Sequence, residues 1–331
     1  MPCAMAMAPS GELLATGLSN LAGSVWDGQV SLHRAGDLKP AAAAKLEYGA
    51  TSVSWVSNHQ LVAGMDNGDV VDVSKPSHTE QQQGDGAGIT AVVTAALPAH
   101  DDCVSSVASK LQAGSAADGK DATFATGSWD GSVKVWPSTV GSTPQGKLVG
   151  HFGRVFGVAW QPHTPGTNLL ASCGEDGRCL VWDVRSMAGP AVVAAYRMQG
   201  SSAGQGSVVA KSTALLPHAS YGDLPLTALA WVSPTQLALS AADGGVMLVD
   251  LRDVNKPVVA FAGGPGTLIT AGDDGKVAMA SVTEEGALTS QHTWPEQKEY
   301  VRCLATATGG EALLAGVWDG TTQQLAFPAK P

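Results

Sequence analysis

The sequence is poor in positive charge, in aromatic residues and in paired cysteines. It contains 19 Lys and Arg residues and 29 Asp and Glu residues, which gives a formal net charge of −10. This excludes sequence-independent binding to nucleic acid, which requires a basic surface. The 5 cysteines contain no C-x-x-C pair, so we expect reduced thiols in a cytoplasmic and nuclear protein. We expect no cofactor, no metal and no membrane association, because no phosphate loop, metal-ligand spacing or spanning apolar run occurs.

The sequence is rich in glycine, with 40 residues, and some of these glycines close a recurring turn signal. The signal is Asp-Gly or Asn-Gly between short apolar runs, and it ends at Gly28, Gly68, Gly131, Gly177, Gly244, Gly275 and Gly320. Such pairs favour tight β-hairpins, because both central residues take positive φ. Where no insertion intervenes, the spacing matches the roughly 40–45 residues of a WD-repeat blade. We therefore predict an all-β chain, one seven-bladed WD-repeat β-propeller over residues 1–331.

The predicted blades lie at about residues 3–34, 51–73, 100–136, 151–183, 226–250, 258–281 and 301–327. Blade 6 is predicted to be degenerate or incomplete, because its inner strand is hard to find. Residues 77–88, 110–121 and 186–222 are predicted to be solvated loops, since they are rich in Gly, Ser, Ala or Gln. We expect residues 321–327 to pair beside the N-terminal strand, because an open ring leaves two unpaired sheet edges.

Two repeats carry a full set of polar residues at the spacing that forms a buried hydrogen-bond chain in WD repeats. The sets are His100, Thr126, Asp130 and Trp136 in blade 3, and His151, Ser172, Asp176 and Trp182 in blade 4. A Ser, a His and an Asp also resemble a hydrolase triad. We favour the structural interpretation, because the repeat explains the spacing and no nucleophile turn is present. No catalytic residue is assigned, and we expect that the protein is not an enzyme.

Six tryptophans fall into two groups. Trp55, Trp160 and Trp231 end inner strands and are predicted to be core residues, whereas Trp26, Trp129 and Trp318 stand immediately before a turn Asp. The turns of a propeller share a face with the loops between blades, so the second group is expected to be accessible. The alternative for Trp129 and Trp318 is that each indole packs on an adjacent loop.

The first repeat contains an extra stretch inside its hairpin, Ser19-Asn20-Leu21-Ala22-Gly23-Ser24-Val25-Trp26. Ordinary WD repeats lack it, and it resembles the first blade of the methylosome WD-repeat proteins. Two further stretches are similar to later blades of that family, His100 to Val107 and Tyr300 to Arg302 together with Gly316 to Asp319.

This resemblance implies a non-catalytic scaffold in a hetero-oligomer with the protein arginine methyltransferase that makes symmetric dimethylarginine. In that family the first-blade Trp contacts the methyltransferase, and Trp26 is the matching position; Ser24 replaces a basic residue of the animal proteins. Candidate partner-binding residues are therefore Trp26, Leu21, Ser24, Asp27, Trp318 and Trp129. The acidic charge favours basic partners such as histone tails or Arg-Gly-rich proteins. The alternative function is a WD-repeat cargo or peptide receptor, such as a peroxisomal import receptor.

Overall fold

The computed structural model describes residues 2–22, 25–74, 91–110, 122–162, 168–186, 192–199, 207–211, 224–242, 246–251, 266–271, 275–282, 288–306 and 312–327. These residues form β-strands β1 to β26 and one short 3-10 turn, Val184–Ser186. The strands belong to seven antiparallel sheets. This confirms the predicted seven-bladed propeller, and each sheet is one blade.

The first three blades have four strands each. Blade 1 contains β1 (Pro2–Met7), β2 (Leu13–Ala22), β3 (Val25–Arg34) and β4 (Pro40–Leu46). Blade 2 contains β5 (Ala50–Trp55), β6 (Gln60–Met65), β7 (Asp69–Ser74) and β8 (Val92–Pro98). Blade 3 contains β9 (Val104–Lys110), β10 (Thr123–Ser128), β11 (Ser132–Pro137) and β12 (Gly146–Val149). Each fourth strand lies beyond the residues assigned to its blade from the sequence.

The remaining blades vary in strand number. Blade 4 contains β13 (Val155–Trp160), β14 (Leu169–Gly174), β15 (Arg178–Asp183), β16 (Val192–Gln199) and β17 (Ser207–Lys211). Blade 5 contains β18 (Leu226–Ser233), β19 (Gln236–Ala241) and β20 (Val246–Asp250). Blade 6 contains β21 (Gly266–Ala271), β22 (Val277–Val282) and β23 (Leu288–Thr293), and blade 7 contains β24 (Val301–Thr306), β25 (Ala312–Val317) and β26 (Thr322–Ala326).

The glycine turns join the second and third strands of most blades. Gly68, Gly131, Gly177 and Gly320 have φ of 93°, 79°, 68° and 94°, the left-handed region that glycine adopts without a Cβ penalty. The Asp243-Gly244 pair lies outside the described residues. This set of turns fixes which strands are equivalent from blade to blade.

The predicted turn at Asp27-Gly28 is wrong. Both residues lie inside β3, where Asp27 pairs with Asn20 and Gly28 pairs with Ser19. The ladder runs on to the pair Ala22 and Val25, so the chain reverses at residues 23–24, which the structure does not describe. The inserted stretch pairs with itself and moves the turn outward.

Blade 6 departs from the common pattern. Gly275, with φ of 71°, lies between β21 and β22, so these strands correspond to the second and third strands elsewhere. The strand β23 is then the fourth, and it lies beyond the predicted limit of residue 281. Residues 252–265, where an inner strand would occur, lie outside the described residues.

Two of the loop and closure predictions are wrong. Residues 186–222 were expected to be a loop, yet they contain β16 and β17, because the apolar run Val192 to Tyr196 pairs on β15. The strand β26 pairs with β25, and β1 pairs with β2 as the inner strand of blade 1. Because β1 is used there, it is not available as a neighbour for β26. Residues 77–88 and 111–121 lie outside the described part.

The ring closes instead through side-chain packing between blades 1 and 7. Met5 and Leu14 of blade 1 form an apolar cluster with Leu314 of blade 7. Larger clusters fill the spaces between the other early blades, for example Val135 and Leu148 of blade 3 against Trp182 of blade 4. Burial of this apolar surface is the main stabilising term in such a fold.

Inner-strand tryptophans connect neighbouring blades by hydrogen bonds. The indole N–H groups of Trp55, Trp160 and Trp231 donate to the backbone carbonyls of Ala6, Ala108 and Ala159, each at 3.0 Å. In each case the carbonyl belongs to the inner strand of the preceding blade. Trp55 is buried, as predicted for a core residue, whereas Trp160 and Trp231 are half-buried.

Candidate functional site

Blade 3 contains a continuous chain of hydrogen bonds among its four predicted network residues. His100 Nδ1 lies 2.9 Å from Asp130 Oδ2, and His100 Nε2 lies 2.7 Å from Thr126 Oγ1. The indole N–H of Trp136 donates to the same Thr126 hydroxyl at 2.9 Å. The chain joins the loop before β9, strand β10, the glycine turn and strand β11.

Blade 4 repeats this arrangement. His151 Nδ1 lies 3.1 Å from the carboxylate of Asp176, and His151 Nε2 lies 2.7 Å from Ser172 Oγ. Trp182 Nε1 donates to Ser172 Oγ at 2.8 Å. The structure thus brings together each predicted set of four residues.

Donor and acceptor capacity fixes the direction of these bonds. The Trp N–H can only donate, so each hydroxyl accepts from Trp and donates to His Nε2, which leaves Nδ1–H to donate to the carboxylate. Burial lowers the pKa of His100, which favours this neutral form. Burial alone would raise the pKa of Asp130, but hydrogen bonds from Ser132 and His100 lower it to about 2.

The pKa of Asp176 is lowered for similar reasons, although this side chain is more buried than that of Asp130. Burial opposes its charged form, but the hydrogen bond from His151 lowers its pKa. Backbone N–H groups of Phe152 and Arg178 also donate to its carboxylate. The Ser172–His151–Asp176 geometry therefore resembles a hydrolase triad, but Ser172 is 0% exposed and its hydroxyl already accepts from Trp182. Because no substrate reaches a fully buried hydroxyl, the arrangement acts structurally.

The hairpin of β2 and β3 is the longest in the described structure. Each of its strands has ten residues, whereas the second and third strands of the other described hairpins have six or fewer. Trp26 pairs with Leu21 near its end, and Asp27 is exposed. Ser24, and the side chains of Leu21 and Trp26, lie outside what the structure describes.

Trp129 and Trp318 are exposed and also packed on adjacent side chains. Trp129 is 38% exposed, with the guanidinium of Arg154 4.5 Å from its ring centre. Trp318 is 42% exposed, and it contacts Tyr300 edge-on at 6.2 Å and Arg302 at 5.3 Å. Both expectations for these indoles therefore hold at once, and the two residues belong to blades 3 and 7.

Further exposed aromatic residues lie near the turns and are not among the residues predicted from the sequence to bind a partner. Tyr48, Phe152 and Tyr300 occupy the loops that lead into inner strands. These loops lie beside the glycine turns, as the hydrogen bond from Trp318 N to the Tyr300 carbonyl at 2.9 Å illustrates. The signal in the sequence that they share is a position shortly before an inner strand.

The described residues contain no group of three or more His, Cys, Asp and Glu side chains arranged to hold a metal ion. None of the helical segments described is long and apolar enough to cross a membrane. None of the five cysteines forms a disulfide bond. Burial raises the pKa of Cys103, Cys179 and Cys303 to about 12, so these thiols are protonated at neutral pH.

Comparison with known proteins identifies two repeats of one family in this chain. The family described as "WD domain, G-beta repeat" matches residues 91–137 and 142–183. The chain is 47% identical over 62 residues, 19% of its length, to the small ribosomal subunit protein RACK1y of Oryza sativa subsp. japonica. It is 39% identical over 61 residues, 18% of its length, to the peroxisomal targeting signal 2 receptor of Schizosaccharomyces pombe.

A third relative and one solved structure extend the comparison. A SEC13 homolog of Drosophila melanogaster is 42% identical over 59 residues, 18% of this chain. The matches span less than a fifth of the length of each of these three relatives (17%, 19% and 16%). A chain in a crystal structure of the mitotic checkpoint complex aligns over 98% of this chain and 86% of its own length, with a TM-score of 0.61 and 17% identity. At that identity the likeness concerns the fold.

Proposed function

Because the chain contains WD repeats and folds as a seven-bladed propeller typical of interaction scaffolds, we propose that it is an adaptor of a protein arginine methyltransferase complex. In this proposal it binds the methyltransferase that makes symmetric dimethylarginine. It also helps to present basic substrates, such as histone tails or Arg-Gly-rich proteins, in the cytoplasm and nucleus.

The observation that carries the proposal is the long hairpin of blade 1. Its strands exceed those of the other described hairpins by four residues, ten against six, so it projects by about 13 Å at the usual rise per residue. The extra residues are those by which the sequence resembles the methylosome WD-repeat proteins. A projecting ladder presents both side-chain rows and backbone to a partner at little cost to the core.

Trp26 is the residue on which binding is proposed to depend. It stands one pair from the end of the ladder, opposite Leu21, and it is followed by the exposed carboxylate of Asp27. A large aromatic side chain that enters a partner pocket commonly dominates the energy of an interface.

Acidic side chains support the second part of the proposal. Asp101 and Asp102 are exposed in the loop before β9, beside the turn that carries Trp129, and Glu175 is exposed in the turn of blade 4, beside the loop that carries Phe152. Carboxylates beside exposed aromatic rings attract the guanidinium groups of Arg-rich segments through charge and cation–π interactions.

A cargo receptor is the second candidate, and the local similarity to the peroxisomal targeting signal 2 receptor favours it. That similarity covers 61 residues, and the similarities to the RACK1y and SEC13 relatives cover 62 and 59 residues. It therefore does not separate receptor from adaptor. Purification from the native source distinguishes the two, because the adaptor co-purifies with a methyltransferase and the receptor with cargo enzymes.

Replacement of Trp26 tests the adaptor directly. Trp26→Ala is expected to weaken binding to the purified methyltransferase by about 2–4 kcal/mol, roughly 30- to 1,000-fold in Kd, with an unchanged melting temperature. Calorimetric titration measures the affinity and thermal unfolding measures the fold. The control is Trp182→Ala, which removes a buried indole and is expected to lower the melting temperature and to lose binding only as a consequence. If Trp26→Ala binds like the wild type, blade 1 is not the contact and the proposal fails.

A further inference from the structure

A cleft separates blade 7 from blade 1 where the ring closes. It has a volume of about 230 Å³. Blade 1 contributes most of its walls, and blade 7 contributes its glycine turn and the start of its last strand. The lining residues are Leu14, Thr16, Leu18, Ser31, His33, Leu38, Gly320 and Thr322.

One side of the cleft is the open edge of β26. Within the described chain this strand pairs only with β25. The hydrogen bond from Val317 N to Thr321 O at 2.9 Å fixes the alternation of the ladder, so Thr322 and Gln324 direct their backbone N–H and C=O away from β25. The outward carbonyl of Ala326 accepts a hydrogen bond from Trp294 at 2.8 Å, as this alternation requires.

Between blades 3 and 4, a fourth strand fills the equivalent space. Leu148 of β12 pairs with Val133, the second residue after the turn glycine, and it packs in one cluster with Leu180 and Trp182 of blade 4. In blade 7 the second residue after the turn glycine is Thr322, which lines the cleft. An added strand would therefore place an aliphatic side chain opposite Thr322.

The opposite wall contains a buried hydroxyl, that of Thr16, which no described residue contacts by a hydrogen bond. Thr16 pairs with Ser31 and Leu14 with His33, in the register that Ser172 and Leu170 have with Leu180 and Trp182. Thr16 is thus equivalent to Ser172, whose hydroxyl contacts the indole of Trp182 and the ring of His151. Blade 1 has His33 in place of that Trp, and Thr16 Oγ1 is buried with no hydrogen-bond partner among the described residues.

Two other blade boundaries in this chain show which side chain would form a hydrogen bond with the Thr16 hydroxyl. His151 follows Leu148 by three residues, and His100 follows Leu97 by three residues, and each His contacts the hydroxyl of the next blade. We propose that the cleft binds an extended segment of a partner polypeptide, which adds to β26 as a fourth strand. The segment carries an aliphatic residue opposite Thr322 and a His three residues later that contacts Thr16. This mode of strand addition gives affinity through main-chain hydrogen bonds and specificity through alternate side chains.

The test uses a fluorescent peptide with the sequence of residues 144–152, Pro-Gln-Gly-Lys-Leu-Val-Gly-His-Phe, which is the chain's own fourth strand from blade 3. Fluorescence anisotropy against the full chain is expected to show saturable binding. Peptides carrying Leu148→Asp or His151→Ala are expected to bind at least about tenfold more weakly, because each loses one anchoring contact. Absence of saturable binding, or equal binding of the altered peptides, would overturn the proposal.

Two protein variants locate the peptide. Gln324→Pro removes an outward N–H that β25 does not use, so the fold is retained while peptide affinity falls by about tenfold; Gln324→Ala keeps the N–H and is the matched control. Thr16→Val is expected to melt at or above the wild-type temperature, because it removes an unsatisfied buried hydroxyl, yet to bind the peptide more weakly.

Equal binding by Gln324→Pro and wild type would place the peptide elsewhere and overturn the proposal. A dimer in analytical ultracentrifugation that Gln324→Pro dissociates would identify a second copy as the occupant, and it too would overturn the assignment to a partner. None of these measurements involves the methyltransferase or Trp26, so the cleft and the proposed function fail independently.

Discussion

Blades 4 and 1 have the same strand register but differ in the hydrogen bonds that their side chains form. In both, the second and third strands pair in the same register, so that Ser172 corresponds to Thr16 and Trp182 to His33. In blade 4 the hydroxyl belongs to a continuous hydrogen-bond chain, whereas in blade 1 it has no partner among the described residues. Backbone pairing sets where a blade forms, and a few polar residues determine how tightly it is joined to its neighbour.

The difference extends to the outer edge of the preceding blade. The strand β12 supplies Leu148 to the boundary between blades 3 and 4, and the chain then continues to His151. Blade 7 ends at β26 within the described residues, so the boundary with blade 1 lacks both contributions. The fourth strand of one blade and the hydrogen-bond chain of the next therefore act as one unit.

The largest expected effect follows from removing the indole that both parts of this unit contact. Trp182 is 2% exposed, donates to Ser172 and packs with Leu148. Trp182→Ala is expected to lower the free energy of unfolding by about 3–5 kcal/mol, measured by urea denaturation, because it leaves a cavity and removes one of the two hydrogen bonds of the buried Ser172 hydroxyl. The matched variant His33→Ala, at the equivalent half-buried position of blade 1, is expected to cost less than about 1.5 kcal/mol. Equal losses at the two positions would show that the blades do not differ in the way described.

A smaller effect is expected for the polar members of the chain. His151→Ala and Asp176→Ala are each expected to cost about 1–3 kcal/mol, since each leaves a buried polar partner unsatisfied. Because both residues act in one network, the double variant should lose less than the sum of the two single variants. A double-mutant cycle by urea denaturation measures this coupling. Strictly additive losses would mean that the 3.1 Å contact between the two side chains carries no coupling energy.

The repeat pattern explains why parts of this architecture could be predicted from the sequence and others could not. Glycine turns and the positions of His151 and Trp182 depend on local spacing, which the repeat preserves. The strand β16 could not be predicted, because its apolar run lies among Gly- and Ser-rich residues that favour a loop. The extension of β2 and β3 depends on whether inserted residues pair with each other, and the closure of the ring without pairing between β26 and β1 depends on tertiary packing. Neither is encoded in the spacing of the turns.

The smallest expected effect is on the pH dependence of stability, and it comes from Asp130, the blade 3 residue that corresponds to Asp176 of blade 4. Asp176 is buried, whereas Asp130 lies closer to solvent and has a folded pKa of about 2, below its ordinary value of about 3.9. Because the folded pKa is the lower one, the stability that Asp130 contributes is present above the ordinary value and is lost as the pH falls through the folded value.

Between about pH 4 and pH 2 the wild type should therefore lose stability more steeply than Asp130→Asn, which keeps an acceptor oxygen but does not titrate. Urea denaturation at a series of pH values measures the two slopes, down to the lowest pH at which both proteins unfold cooperatively. His100 acts in the same direction at higher pH, because its lowered pKa makes the unfolded chain take up a proton first below about pH 6.5. Parallel slopes below pH 4 would mean that the hydrogen bonds from Ser132 and His100 do not hold Asp130 in its charged form.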